Sequence, residues 1–426
     1  LVACFAVDFE GEGLELIEPL AFIPSIECSP LQVPTGVDFL SLLMMDMTQQ
    51  ASETETLLGH IAFRVPSNTL DGMTFIVSSQ NTSGSSPEYN AILFAEGTDA
   101  TVTLSTNVNQ TVQTGVGWNW FSINVESDDM SVNNVLSSLS AISGDFIKSQ
   151  GASAEYYDEF GWFGSLDNIN IIDMYQLDIE NGGTIEFTGY PADPSSATIH
   201  LTDGWNWIGY IPQNAGIIND ALGSIGDSGI FIKNQAASAE YYDEFGWFGS
   251  LDFMSGGDGY QLKISGEADL IYPNFESDDN LTRTKEVKEM PEAITEWAVN
   301  PHAYEFNGAI TLSVENREDS PGDYIAAFVE GECRGIAERM DFPFDDVDRG
   351  IYILMAYSNM DEEEEITFKY YSQSEEEVVE YAESLEFTIN MVVGNGFEPF
   401  GLSREFIIPP EFSLSAAYPN PFNPTT

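Results

Sequence analysis

A chain of 426 residues, 43% hydrophobic and 12% aromatic, carries enough apolar material for folded domains and is too long for one, since about 100 to 200 residues per domain gives two to four. Its 70 Asp and Glu against 13 Lys and Arg leave a formal net charge of -57, a surface that repels phosphate backbones and anionic lipid, so nucleic acid is excluded as a partner. No run approaches the roughly 18 to 20 consecutive apolar residues of a membrane helix, so no membrane-spanning segment is expected.

Such acidity suits a secreted protein in salty water, where counterions screen self-repulsion within about a nanometre. Calcium is the functional alternative for so many carboxylates, but no stretch fits a D-x-[DN]-x-[DN]-G loop, and solvated acidic faces are expected instead of a metal site. The fold class expected is mainly β: a string of β-sandwich-like domains with two tandem small β-rich repeat units, each carrying one short helix.

Residues 1–107 read as strands separated by polar, Gly- and Ser-rich turns, the mark of a β-sandwich. LVACFAVDF alternates from the first residue, and HIAFRV (60–65), MTFIVSS (73–79), AILFAEG (91–97) and ATVTLST (100–106) follow. The chain opens at Leu1 without a methionine and already in a strand pattern, so a preceding segment with any signal peptide is expected to be missing. Cys4 lies opposite the apolar face of Phe5, Val7 and Phe9, and a bridge to Cys28 is open to it in an oxidising compartment.

The order of LELIEP (14–19), GHIAFRVP (59–66) and TFIVSS (74–79) resembles the later part of the cohesin-like family of extracellular β-sandwiches, with the first strands of that family absent. The resemblance implies a docking or structural module of a polysaccharide-handling assembly.

The next segment contains a near-exact duplication. FIKSQGASAEYYDEFGWFGSLD (146–167) returns as FIKNQAASAEYYDEFGWFGSLD (231–252), with only Ser149/Asn234 and Gly151/Ala236 differing among 22 positions. GWNWFSINV (117–125) matches GWNWIGYIP (204–212), and MYQLDI (174–179) matches GYQLKI (259–264), so residues 108–190 and 191–275 hold two units joined at YPADPSS (190–196).

Each unit reads the same way. GWNW starts a strand that puts Trp118 and Trp120 on one face and Asn119, Phe121 and Ile123 on the other. Val132, Val135, Leu136 and Leu139 fall at helical spacing and predict a short amphipathic helix, repeated by Ile218, Ala221, Leu222 and Ile225. FIK, GWFGSL and YQL read as strands, and ASAEYYDEF as a turn or irregular segment. A unit of about 70 residues is only marginally able to bury its own surface, and its aromatic residues are the expected compensation.

A charged linker follows (276–293), and then a third β-sandwich over 294–409 with strands in AYEFNGAITLSVEN, DYIAAFVEGECRGIAE, GIYILMAYSN, EEITFKYYSQ and LEFTINM. Ile351, Ile353, Met355 and Tyr357 alternate with Tyr352, Leu354 and Ala356, so both faces of that strand are expected to be covered. The acid runs DEEEE (361–365) and SEEE (374–377) are placed at turns.

The tail, LSAAYPNPFNPTT (414–426), resembles the opening of the C-terminal sorting domain of proteins exported by the type IX secretion system, through Tyr418, Pro419, Asn420, Pro421 and Phe422 with Asn423 and Pro424 after them. Its prolines deny it a helix and predict an extended entry. The resemblance implies passage across an outer membrane by the type IX machinery, then release or surface attachment. Only the first dozen or so residues of such a domain are present, so export by this segment alone is not expected.

Signals for catalysis are sparse, and no enzyme or cofactor is expected. GDSG (226–229) has the letters of a serine-protease nucleophile, but its counterpart in the first unit has no serine in register and no histidine motif accompanies it. His60, His200 and His302 lack metal-ligand spacing. Cys333 reads as a small core thiol, and GGDG (256–259) as a turn.

The better candidates are aromatic. Tyr156, Tyr157, Asp158 and Trp162, copied as Tyr241, Tyr242, Asp243 and Trp247, pair flat apolar rings with carboxylates, a combination that suits sugar rings of an extracellular polysaccharide. Duplication would add avidity. The competing reading makes these rings the core of a small domain. The function expected is therefore an exported, non-catalytic protein of binding or spacer modules, carbohydrate among the candidate ligands. The alternative is an accessory region of a secreted polysaccharide hydrolase whose catalytic domain lies upstream.

Overall fold

In the computed structural model the chain divides into two compact units, Leu1–Val108 and Asn109–Thr426. The structure describes residues 107–276, 290–344 and 350–404, together with the backbone of the strands between residues 4 and 103. The fold is mainly β throughout, with antiparallel sheets and short helices. The first unit is built on one large sheet in which Cys4–Gly11 lies between Phe39–Met45 and Thr74–Ser85, and two further pairs of short strands lie outside it. The side chains of Cys4, Cys28 and His60, and the sorting motif Tyr418–Phe422, lie outside the described residues.

Both repeats fold alike. In the first, five strands are ordered Gly117–Phe121, Tyr175–Ile179, Phe146–Lys148, Ser153–Tyr157 and Gly161–Gly164; in the second, Gly204–Gly209, Gly259–Ile264, Gly229–Lys233, Ser238–Tyr242 and Gly246–Gly249 take the same order. The one-turn helices Val132–Val135 and Ile218–Ala221 stand where the 3.6-residue spacing put them. Leu139 falls beyond the first and is only half-buried.

Two expectations for the repeats need correction. SAEYY is a strand in both copies, hairpinned with GWFG through the turn at Asp158–Phe160. Its alternation is carried by alanine and tyrosine, residues too mixed in hydropathy to register as a periodic run, and cross-strand pairing decides it. The link read at 190–196 begins inside Gly183–Pro191, which pairs with Val108–Thr114 and Val125–Glu126 in a second, three-stranded sheet. Pro191 closes that strand, at a terminal position where its missing N–H interrupts no continuing ladder.

The repeats complete each other. Ile171 of the first is buried in the core of the second, with Ile208, Tyr210, Tyr260 and Tyr272, and Met130 and Ile172 of the first pack against it. Matching bridges run both ways, Phe121 to Asp258 and Asp173 to Ile208, and Ser122 N–H donates to Gly257 O at 3.0 Å as Gly209 N–H does to Ile172 O at 2.9 Å. The marginal size of one unit is thus answered by a pseudo-two-fold pair with a shared core.

The sandwich of residues 301–404 packs one sheet, with Gly350–Ser358 and Phe306–Val314 at its centre, on another ordered Glu332–Glu338, Tyr324–Val329, Glu362–Ser372 and Glu377–Thr388. Ile310, Leu312, Ile325, Tyr352, Leu354 and Phe368 lead its core, which takes no side chain from the repeats. The DEEEE run lies at the start of Glu362–Ser372, a correction to the turn expected there. Glutamates are tolerated on that strand because Glu362, Glu363 and Glu365 face solvent while Glu364 reaches Arg334 at 3.2 Å.

Both faces of Gly350–Ser358 are buried, as its alternation implied. Tyr352, Leu354 and Ala356 face the sandwich core. Ile351 packs with Tyr242, and Met355 and Tyr357 with Phe231, so the second repeat covers the other face.

Candidate functional site

The duplicated hairpins are the most distinctive feature of the surface, and each is positioned by the short helix of its own repeat. Asn133 Oδ1 accepts from Trp162 N–H at 2.8 Å while its Nδ2 donates to Trp162 O at 3.0 Å. Asn219 makes the same two bonds to Trp247, at 2.7 and 3.2 Å. One amide therefore satisfies both backbone groups of an otherwise open edge strand. The clamp leaves no room for a Cβ at Gly161, whose φ is +75° and whose Cβ would stand 2.3 Å from Asn133 Oδ1.

The structure brings Tyr156 against Trp162 edge to face at 5.4 Å, and Tyr241 against Trp247 at the same distance. Both tryptophans are core residues, 6% and 5% exposed, so neither offers a ring face to a ligand. Asp158 and Asp243 are exposed at the turns. Tyr157 OH donates to Glu155 at 3.0 Å, and Tyr242 OH to Glu240 at 2.9 Å. The hydrogen bond to Glu155 raises the Tyr157 phenol above its usual value. For Tyr242 burial is the larger cause and the Glu240 charge the second.

Here the copies part. In the second, Tyr242 is 7% exposed. Its ring lies 5.6 Å from Phe342, 5.9 Å from Phe344 and 5.6 Å from Phe397 of the sandwich, and its hydroxyl accepts from Gly396 N–H at 2.8 Å. Phe245 stacks on Phe344 at 4.4 Å, and Phe248 meets Phe342 edge-on at 5.6 Å. In the first copy the identical residues Tyr157, Phe160 and Phe163 stand 40%, 75% and 73% exposed.

The sandwich is anchored by the two copied lysines. Lys148 Nζ bonds Glu305 at 2.5 Å and sits 4.8 Å from the Trp118 ring. Lys233, 1% exposed, donates to Asn307 O at 2.8 Å, Asn307 Oδ1 at 2.5 Å and Asn390 Oδ1 at 2.7 Å. Burial without a carboxylate partner lowers its pKa well below the lysine range. Nearby, Tyr357 OH donates to Gln235 O at 3.0 Å, and His302 Nδ1 lies 2.7 Å from Trp118 O, which assigns the proton to that nitrogen.

The remaining sequence candidates occupy ordinary structural positions. In GDSG, Asp227 accepts from Tyr241 OH at 2.7 Å and Gly226 turns the chain at φ +52°. His200 pairs with Asp269 at 2.6 Å on the surface. Cys333 is half-buried, its Sγ 3.2 Å from Trp297 O, and burial pushes its thiol up to about 11. Among the described residues no group of three or more His, Cys, Asp or Glu is placed to hold a metal ion, and no helix is long and apolar enough to cross a membrane.

Sequence reasoning missed Phe160 and Phe163, and their counterparts Phe245 and Phe248, because Phe160 and Phe245 close the ASAEYYDEF stretch read as a turn or irregular segment and Phe163 and Phe248 read as ordinary positions of the short GWFGSL strand. It also missed Phe342, Phe344 and Phe397. The available signal was the sequence DFPF (341–344), two aromatics spaced about a proline in a turn, where neither is needed for a strand. No protein-family model matches the chain, and a search of curated proteins finds no match.

Proposed function

We propose that this chain is an exported, non-catalytic protein of the cell surface or extracellular medium, built from β-modules that bind or space, with Tyr418, Pro419, Asn420, Pro421 and Phe422 opening a type IX sorting signal. The observation that carries the modular part is the use made of the copied hairpin: in the second repeat it is a docking surface seated on a neighbouring domain. The secretion part is supported by the proline-punctuated tail and by a net charge of -57, which favours solubility in salty water.

A polysaccharide ligand has less support than a protein one. Trp162 and Trp247 are turned into their cores and Tyr242 is covered, so two equivalent sugar platforms are not presented.

Export is tested by fractionating the producing cells with an antibody to the repeats. The chain is expected in the medium or on the outer surface, and lost from both when the outer-membrane translocon is deleted. Recovery in the cytosol of unmodified cells defeats the reading.

A further inference from the structure

We propose that the hairpin of the first repeat, through Tyr157, Phe160 and Phe163, is a second docking site of the same kind as the occupied one, and that its partner is a β-sandwich presenting a phenylalanine cluster like Phe342, Phe344 and Phe397. This rests on reading the modules as binding pieces, and it names the partner.

Two independent observations carry it. The first is structural. An identical sequence on an identical fold already has a known complement in this molecule, three phenylalanine rings and the N–H of Gly396. A pseudo-symmetric pair offers this surface twice, and a single asymmetric sandwich covers it once. Rings as exposed as Phe160 and Phe163 are unusual on a soluble surface unless something binds them.

The second is internal to the sequence. A duplication that merely aged would diverge evenly, yet the hairpin stretch keeps 20 of 22 positions while residues 117–125 keep 4 of 9 and residues 168–179 keep 5 of 12. Buried Ile147, Ala154, Trp162 and Leu166 account for part of that retention. Packing makes no demand on exposed Tyr157, Phe160 and Phe163, so the retained feature is the surface itself.

Charge decides against a second copy of the same hairpin as occupant. Glu155, Asp158 and Glu159 border the rings, and face-to-face pairing would set these carboxylates against their own kind. The sandwich seat is lined instead by Met340, Ile351 and the phenylalanines.

The test uses the full chain with a second full-length chain as probe, in which Tyr242→Ala, Phe245→Ser and Phe248→Ser empty its own sandwich seat and Phe160→Ser with Phe163→Ser prevent self-pairing, its cooperative melting checked first. Sedimentation velocity should show a one-to-one complex. Phe160→Ser with Phe163→Ser in the full chain should weaken it by roughly tenfold or more, as should Phe342→Ser with Phe344→Ser in the probe; the first pair is surface-exposed and leaves the fold intact. Absence of a complex, or one indifferent to Phe160 and Phe163, overturns the proposal. Self-association of the full chain abolished by the same pair would make the occupant a second copy, and retention on immobilised polysaccharide abolished by it would make the occupant a glycan; either result also overturns it. None of these outcomes depends on where the cell sends the protein, so a failure here is distinct from a failure of the export reading.

Discussion

Gln150 and Gln235, equivalent residues of the two repeats, each reach across and bracket the edge strand of the other. Gln235 Oε1 accepts from Trp120 N–H at 3.1 Å and its Nε2 donates to Trp118 O at 2.8 Å; Gln150 does the same with Trp207 N–H and Trp205 O, both at 2.9 Å. Each side chain imitates one residue of an added strand, closing an edge that would otherwise invite pairing with another molecule. The two environments differ, since Gln235 is half-buried beneath the sandwich and Gln150 is exposed. Gln235→Ala is expected to cost about 1–3 kcal/mol by orphaning the part-buried N–H of Trp120, while Trp118 O keeps the bond from His302, and Gln150→Ala about 0.5–1.5 kcal/mol, because water replaces its bonds. Urea titration followed by tryptophan fluorescence measures both. Equal costs would contradict the asymmetry.

The hairpin clamp makes a sharper prediction about two glycines of one stretch. At Gly161 a Cβ would collide with Asn133 Oδ1 and the backbone sits at φ +75°, so Gly161→Ala should destabilise by more than about 1 kcal/mol. A Cβ added at Gly151 would meet nothing within 4 Å, and alanine already stands at the matching position, Ala236. Gly151→Ala should be neutral or stabilising by a few tenths of a kcal/mol. Thermal melts of the two variants settle the comparison.

The copied lysines should likewise separate. Lys148→Met removes a partly exposed ion pair to Glu305, worth about 0–1 kcal/mol after solvent screening. Lys233→Met leaves Asn307 O, Asn307 Oδ1 and Asn390 Oδ1 without their donor, and about 1–3 kcal/mol or more is expected. The pH dependence has a definite sign. Burial lowers the folded-state pKa of Lys233 from 10.5, so between that lowered value and 10.5 the unfolded chain binds more protons, and this residue's contribution to stability rises with pH. The difference in unfolding free energy between the parent and Lys233→Met should grow on going from neutral pH toward 10. A difference that shrinks would mean Lys233 is more easily protonated in the folded protein than in the unfolded one.

The strands of the repeats and of the sandwich were legible because their signals are local: GWNW, FIK and YQL alternate, and the helix periodicity needs only Val132, Val135 and Leu136. SAEYY was not, because Ala154 and Trp162 become interior only once the hairpin closes. The aromatic site was half legible. Its residues could be named from the duplication, but Tyr157 and Tyr242 are the same letter in the same motif, and only the position of the sandwich makes one exposed and the other buried. No periodicity carries that information, since it arises from an asymmetric domain bound to a symmetric pair.

Alkaline stability follows from the tyrosines at the heart of the paired repeats. Burial raises the phenols of Tyr260 and Tyr272, both fully buried, and those of Tyr175 and Tyr210, from a usual value of 10. Tyr272 OH donates to Gly209 O at 3.0 Å and Tyr260 OH to Asp258 at 3.2 Å, bonds that only the protonated form can make. In the unfolded chain these groups ionise near pH 10; in the folded chain they hold their protons to higher pH. Above 10 the unfolded state therefore binds fewer protons, and stability falls with rising pH, while below 10 the four contribute no slope. Unfolding at constant temperature should set in above pH 10 and coincide with the rise in tyrosinate absorbance, because these rings can ionise only as the core opens. Tyr272→Phe should reduce the steepness by up to about one proton. Reversible titration of all the tyrosines near pH 10 with the far-ultraviolet dichroism unchanged would show that the rings are reached by water in the folded pair, and the shared core would have to be redrawn.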